Sequence, residues 1–178
     1  MNEFENKLIL ASVPYQGGLF PPIPDYKKEG SVFLLTKGSK ADLVVDENTT
    51  QRDIRKGKYT RLVEIFTKPY MKEVTVTSPS KDTAYSFSVY VKAVIQVIDY
   101  ITFYNNRNLD VDAYFQNLFA LDVRKITRKY SILDFQGMDD ELNEKLSKYE
   151  SIDSDTGFSY RVSIVDAEPG GEAKEYVK

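Results

Sequence analysis

The chain has 178 residues and is 42% hydrophobic, a length and composition that suit a globular protein with a single core. It contains no cysteine and no histidine, which excludes disulfides, thiolate nucleophiles and the commonest general base and zinc ligand. A formal net charge of −3 gives no overall attraction to nucleic acid, and no apolar run reaches the roughly 18 residues that a membrane-spanning helix needs. We therefore expect a protein that is not an enzyme, holds no cofactor or metal, and binds no nucleic acid.

Residues 1–29 predict an arm that leads into the folded domain. A short apolar run ends at Val13, and Pro14, two glycines and three further prolines follow it. Proline removes a hydrogen-bond donor and fixes φ, so residues 14–24 predict an extended connector. A proline-rich partner motif is the alternative interpretation of the same residues. The start of the chain lacks the basic and long apolar regions of a secretory signal, and we expect a cytoplasmic protein.

Residues 30–169 predict one folded domain. Two short β-type runs at 31–36 and 41–46 are separated by a turn, which indicates a hairpin. Further strands are predicted at 59–66 and around Val74.

The clearest strand covers residues 85–98. Alternate side chains from Phe87 to Val97 are apolar on one face, whereas the other face mixes polar and apolar residues. A last strand is predicted from Gly157, with its apolar side continuing to Ile164. A strand with one apolar face and one mixed face, as predicted for residues 85–98, is typical of antiparallel sheets. The expected fold class is therefore α+β, with a mostly antiparallel twisted sheet packed against two or more helices.

The first predicted helix begins at Asp110 or Asp112, either of which can cap it, and runs to about Tyr130. The core-facing positions expected for this helix are Val111, Tyr114, Phe115, Leu118, Leu121 and Ile126.

The second predicted helix starts near Met138. Its first turn is expected to hold Asp139, Asp140 and Glu141, because carboxylates there complement the helix dipole. These three acids could instead hold a hard cation, but they lack the alternating spacing of a calcium loop. Residues 170–178 predict a solvated tail.

Four stretches carry a family resemblance. Residues 56–62 read Lys-Gly-Lys-Tyr-Thr-Arg-Leu, residues 78–97 form a long extended stretch, and residues 112–130 form a helix followed by Ser-Ile-Leu-Asp-Phe. Residues 157–169 read Gly-Phe-Ser-Tyr-Arg-Val-Ser-Ile-Val-Asp-Ala-Glu-Pro. In their order and apolar type, these stretches resemble the band 7, or SPFH, domain found in stomatins, prohibitins and flotillins.

The resemblance implies a non-catalytic scaffold domain. Such a domain would form a homo-oligomer and dock onto a membrane surface or a membrane-bound partner protein, peripheral to the membrane. Two other classes stay open: a structural subunit of a larger particle, such as a phage or secretion component, and a carboxylate- or metal-dependent hydrolase.

A basic cluster could contact an anionic surface. It comprises Arg124, Lys125, Arg128 and Lys129 at the end of the first helix, where phosphate groups could meet it. Cations in the last turns of a helix are also favoured by the helix dipole and by solubility.

Tyrosines are expected at a subunit interface. The chain has 13 tyrosines and 10 phenylalanines, which could also indicate base stacking on RNA, but Phe87, Phe115 and other aromatic residues fall at predicted core positions. Tyr90, Tyr100 and Tyr104 are harder to place in a core, and tyrosine is enriched at protein interfaces.

Overall fold

The computed structural model describes residues 8–175. The strands in this range are β1 (Ile9–Pro14), β2 (Ser31–Lys37), β3 (Lys40–Val45), β4 (Arg61–Phe66), β5 (Tyr70–Pro79), β6 (Ser86–Val97), β7 (Glu150–Asp153) and β8 (Phe158–Pro169). The helices in this range are α1 (Gln51–Gly57), α2 (Tyr100–Asn105), α3 (Val111–Thr127) and α4 (Phe135–Leu146). The predicted α+β class is confirmed.

The strands form two antiparallel sheets of four strands each within the described range. The first sheet has the order β1-β4-β2-β3, and the second has the order β5-β6-β8-β7. Antiparallel pairing was expected from the mixed outer faces of the strands, and it is confirmed. Its division between two sheets was not predicted.

The described residues group into two compact units. The first unit contains residues 8–69, 96–109 and 152–159, and the second contains residues 70–95, 110–151 and 160–175. Both units draw most of their residues from the range 30–169. The interpretation of that range as one domain stays a prediction.

Part of the predicted arm belongs to the first sheet. Ile9–Pro14 pair with β4 in antiparallel register, from Ile9 opposite Ile65 to Pro14 opposite Arg61. The apolar run that ends at Val13 therefore forms a strand, which its β-branched and aliphatic residues favour. Residues 1–7 of the predicted arm lie outside the described range.

Helices α1 and α2 of the first unit were not predicted. Thr50 caps α1 in a reciprocal capping box with Asp53, and only Ile54 of this helix is buried. Asp99 caps α2 by accepting a hydrogen bond from the Thr102 backbone N–H. Short helices with so few buried positions leave almost no periodic pattern in the sequence.

The long β5–β6 hairpin dominates the second unit. The buried side chains of β6 alternate along the whole strand, as predicted for residues 85–98, and β5 ends at Pro79. The last strand departs from its prediction. Its buried residues are Phe158, Tyr160 and Val162, but then Val165 and Ala167, so the buried side shifts by one residue and Ile164 is exposed.

Two further expectations about the second unit are corrected. Helix α4 begins at Phe135 rather than near Met138, so the three acids lie in its second turn and do not cap it. The predicted tail begins with a turn that is packed against the unit. The Gly170 N–H donates to the Ser86 carbonyl at 2.7 Å, and Ala173 is buried.

Candidate functional site

Helix α3 carries the candidate site, and its packing fixes which side faces solvent. Asp110 begins the helix by accepting a hydrogen bond from the Ala113 backbone N–H at 3.0 Å. Phe115, Phe119 and Val123 recur every four residues and are fully buried, and the rings of the two phenylalanines stack with centroids 5.8 Å apart. The opposite side of the helix is therefore left in solvent.

Leu121 lies on the solvent side, which corrects its assignment to the core. Its side chain is 63% exposed. The buried positions at Phe115, Phe119 and Val123 set the helical phase, and Leu121 falls half a turn away from them. This four-residue spacing is visible in the sequence, but Phe119 and Val123 were not among the predicted core positions.

Three cations lie on the same exposed side as Leu121, toward the C-terminal end of the helix. Arg124, Lys125 and Arg128 follow it by three, four and seven residues, which are the spacings of one helix face. All three are exposed, and none of the ion pairs within residues 8–175 includes their side chains. We call the set of Leu121, Arg124, Lys125 and Arg128 the basic helix face.

Lys129, the fourth member of the predicted cluster, is held by an ion pair. Its ammonium contacts the carboxylate of Glu141 on α4, and the Tyr130 hydroxyl donates to the same carboxylate at 2.8 Å. The hydrogen bonds from Lys129 and Tyr130 lower the pKa of Glu141. Lys129 therefore links the turn after α3 to α4, and its charge is paired, unlike the charges of the other three cations.

The groove between α3 and α4 is lined mainly by charged side chains that pair with one another. It encloses about 340 Å³. Lys145 lies 3.7 Å from the Asp122 carboxylate, Lys148 lies 3.3 Å from Glu144, and the Tyr149 hydroxyl donates to Asp122 at 2.7 Å. Three of the groove's four lysines are thus paired within the second unit. The fourth, Lys125 of the basic helix face, also lines the groove but takes part in no ion pair among residues 8–175.

Tyr90 belongs to the second unit and is tied to the turn after β8. Its hydroxyl donates to the Glu168 carboxylate at 2.6 Å, and the Lys174 ammonium contacts the same carboxylate at 2.7 Å. The hydrogen bond to Glu168 is the main cause that raises the pKa of Tyr90. The ring is only partly exposed, so Tyr90 offers little of its surface to another subunit.

Tyr100 and Tyr104 lie in the first unit, on α2. Tyr100 is partly exposed, whereas Tyr104 is buried, with the Arg107 guanidinium 4.3 Å from the centre of its ring. The structure therefore does not bring the three predicted interface tyrosines into one unit. Tyr104 has almost no surface to offer a partner.

Asp139 of the predicted acidic cluster sits in an unfavourable environment. One of its carboxylate oxygens is buried and has no hydrogen-bond partner among the described residues. Burial, followed by the nearby charges of Asp166 and Asp140, raises the pKa of Asp139. Within the described range, no group of three acidic side chains has the arrangement of a metal site.

None of the helices within residues 8–175 combines the length and the apolar content that crossing a bilayer requires. A scan against protein-family models finds no match for this chain, and a search of curated proteins finds none either. The resemblance to the SPFH domain family therefore rests on the sequence pattern and stays a prediction.

Proposed function

We propose that this chain is a non-catalytic assembly module that self-associates and docks onto an anionic membrane surface. The observation that carries the proposal is the basic helix face, where three cations that form no ion pair among the described residues share one side of α3 and its C-cap with an exposed leucine. Other lysines of the same unit form ion pairs within it, namely Lys129, Lys145 and Lys148. Unpaired cations keep their charge available for a partner.

The exposed Leu121 favours membrane docking over helix stabilisation as the explanation of the basic helix face. The helix dipole favours cations near the C-terminus of α3 by about 0.3–1 kcal/mol each, whether or not a partner exists. That effect gives no reason for Leu121 to be exposed among them. An apolar side chain next to cations on one helix face suits the boundary between lipid headgroups and acyl chains.

The expected strength of docking can be estimated. A lysine or arginine near an anionic bilayer contributes about 1 kcal/mol, so three of them contribute about 3 kcal/mol, or roughly a hundredfold preference for anionic over neutral lipid. This attraction falls as salt increases, because surface charges are screened over about 10 Å at 0.1 M ionic strength.

The test is vesicle pelleting with a matched control. We expect the triple variant R124Q/K125Q/R128Q to lose most of its binding to phosphatidylglycerol-containing vesicles. Helix α1 also carries two exposed arginines and an exposed lysine within five residues, at Arg52, Arg55 and Lys56, but no leucine beside them. The control R52Q/R55Q/K56Q removes the same charge and should bind like the wild type. Equal loss in both triple variants would contradict a specific docking face.

The same assay separates this proposal from the alternative of a structural subunit in a larger particle. Both roles need self-association, but the particle subunit needs no lipid. Self-association without binding to anionic vesicles would favour the role of a particle subunit.

A further inference from the structure

The connection between α3 and α4, residues 128–134, is tied to the rest of the second unit at several points. The Lys81 N–H, in the turn between β5 and β6, donates to the Tyr130 carbonyl at 2.9 Å, and Ile132 is buried. The Tyr130 ring packs against the first turn of α4 at Gly137, where a Cβ would lie 3.3 Å from the ring. Side chains of this connection that reach solvent are therefore held there by the packing of their neighbours.

Two large apolar side chains at the end of this connection are exposed. Leu133 is 64% exposed, and Phe135, the first residue of α4, is 39% exposed, with the exposed Asp134 between them. Together with Leu121 they make three of the five exposed large apolar side chains among the described residues of the second unit, and the other two are Met71 and Ile164. Scattered exposed apolar residues need no explanation, whereas their concentration within residues 121–135 indicates an interaction surface.

The charges near these side chains favour an anionic partner. Arg128 caps the C-terminus of α3 immediately before the connection, and the hydrogen bond to Tyr130 brings the backbone of the exposed Lys81 against it. Among the exposed charged residues in 80–86 and 121–135, cations that form no ion pair within residues 8–175 outnumber carboxylates. They are Lys81, Arg124, Lys125 and Arg128, against Asp82 and Asp134. A second copy of the chain would bring like charges together, whereas an anionic bilayer attracts them.

We propose that Leu133 and Phe135 form a membrane wedge, which enters the boundary between the headgroups and the acyl chains of an anionic bilayer while the neighbouring cations contact the headgroups. The inference rests on the membrane docking proposed above and deepens it by naming the side chains that enter the bilayer. Cations alone would bind at the level of the headgroups, and salt would screen their attraction. Apolar side chains add an attraction that salt does not screen.

The first test places a tryptophan in the membrane wedge. The chain contains no tryptophan, so Leu133→Trp and Phe135→Trp each carry a single reporter. With vesicles of phosphatidylglycerol and phosphatidylcholine, we expect the emission of both variants to shift to the blue and brominated acyl chains to quench it. The control is Met71→Trp. Met71 is 48% exposed but lies near the start of β5, roughly 25 Å along the strand from the end that leads to Lys81, so its emission should not change.

The second test removes the membrane wedge. The variant L133A/F135A should bind the same vesicles at least about tenfold more weakly, because the burial of two large apolar side chains is lost. That factor should persist at high salt, whereas the loss caused by R124Q/K125Q/R128Q should shrink as salt rises. The control M71A/I164A removes two exposed apolar side chains from the same unit and should bind like the wild type.

Three results would overturn the membrane wedge and leave the basic helix face intact. They are tryptophan emission at 133 and 135 that brominated lipid does not quench, binding of L133A/F135A that equals the wild type, and a loss of self-association in L133A/F135A with vesicle binding unchanged. The third result would assign the two side chains to a contact between copies of the chain. A wild-type chain that binds no anionic vesicles would overturn both the membrane wedge and the docking on which it rests.

Discussion

The Lys72 ammonium lies 3.0 Å from the Asp112 carboxylate, although the Lys72 side chain is only 8% exposed and points to the buried face of β5. Asp112 stands in the first turn of α3, so this ion pair joins the helix to the sheet of the second unit. It holds the start of the helix whose far end carries the basic helix face.

Removing one partner of this pair should cost stability. Asp112→Asn leaves a buried ammonium beside a neutral amide, and we expect about 1.5–3 kcal/mol of lost unfolding free energy, the range for hydrogen bonds to charged groups. Lys72→Met should cost less, because it removes the buried charge and keeps the apolar stem. Urea denaturation of the two variants checks the order. A larger loss for Lys72→Met would contradict it.

The buried hydroxyls of Ser78 and Thr127 form a second link between β5 and α3, at 2.8 Å. Ser78→Ala and Thr127→Val should each cost about 1–2 kcal/mol of unfolding free energy. Each variant removes one hydroxyl and leaves the other buried hydroxyl without this hydrogen bond. The double variant should cost less than the sum of the two. Strict additivity in a double-mutant cycle would mean that the two hydroxyls do not interact.

Gly157 should tolerate no side chain. Its φ is +79°, and a Cβ there would lie 2.5 Å from the Asp99 carbonyl oxygen and from the Phe103 nitrogen. We expect Gly157→Ala to destabilise the first unit by about 3 kcal/mol, from backbone strain and overpacking together. Gly171→Ala is the control, since nothing lies within 4 Å of its Cβ position. Thermal unfolding of the two variants should differ clearly.

Asp139→Asn should stabilise the protein at neutral pH. Burial raises the pKa of Asp139, so its ionised form is disfavoured in the folded state, and stability improves as pH falls through that raised pKa toward the ordinary aspartate pKa of 3.8. The advantage of the amide variant should therefore be largest at neutral pH and should shrink in acid. Urea denaturation at a series of pH values measures it, and an advantage that grows in acid would contradict the assignment.

Tyr149 should ionise well above the ordinary pH range of a phenol. Burial, followed by its hydrogen bond to Asp122, raises its pKa to about 12 from 10.0. A raised pKa for a phenol means that its contribution to stability is present below pH 10.0 and is lost as pH rises toward about 12. Ultraviolet titration of tyrosinate in wild type and Tyr149→Phe should differ by one group that titrates near pH 12. Loss of a group that titrates near pH 10.0 instead would contradict the assignment.

The sequence predicted the elements that have a strong period. The strand around Val91 and the helix capped by Asp110 follow from alternation and from a capping residue, and both are present. It could not predict α1, which buries only Ile54, or the shift along β8 that exposes Ile164. A shift of this kind depends on pairing with neighbouring strands, which no local pattern records.

The candidate site was predicted only in part. Arg124, Lys125 and Arg128 are exposed as expected, but the pairing of Lys129 with Glu141 depends on how α4 packs. The prediction for Leu121 was wrong because it followed from the apolar character of the side chain, whereas the phase of the helix places this position in solvent. Charge and spacing can be read from the local sequence, whereas the ion-pair partner of a side chain on a neighbouring helix is set by tertiary structure.

Sedimentation of the wild-type chain over a wide concentration range, with and without phosphatidylglycerol-containing vesicles, tests the central claim most directly. An assembly module predicts a sedimentation coefficient that rises with protein concentration, and pelleting with the vesicles that high salt reverses. A chain that stays monomeric at every concentration and remains in the supernatant with vesicles would contradict the proposed role.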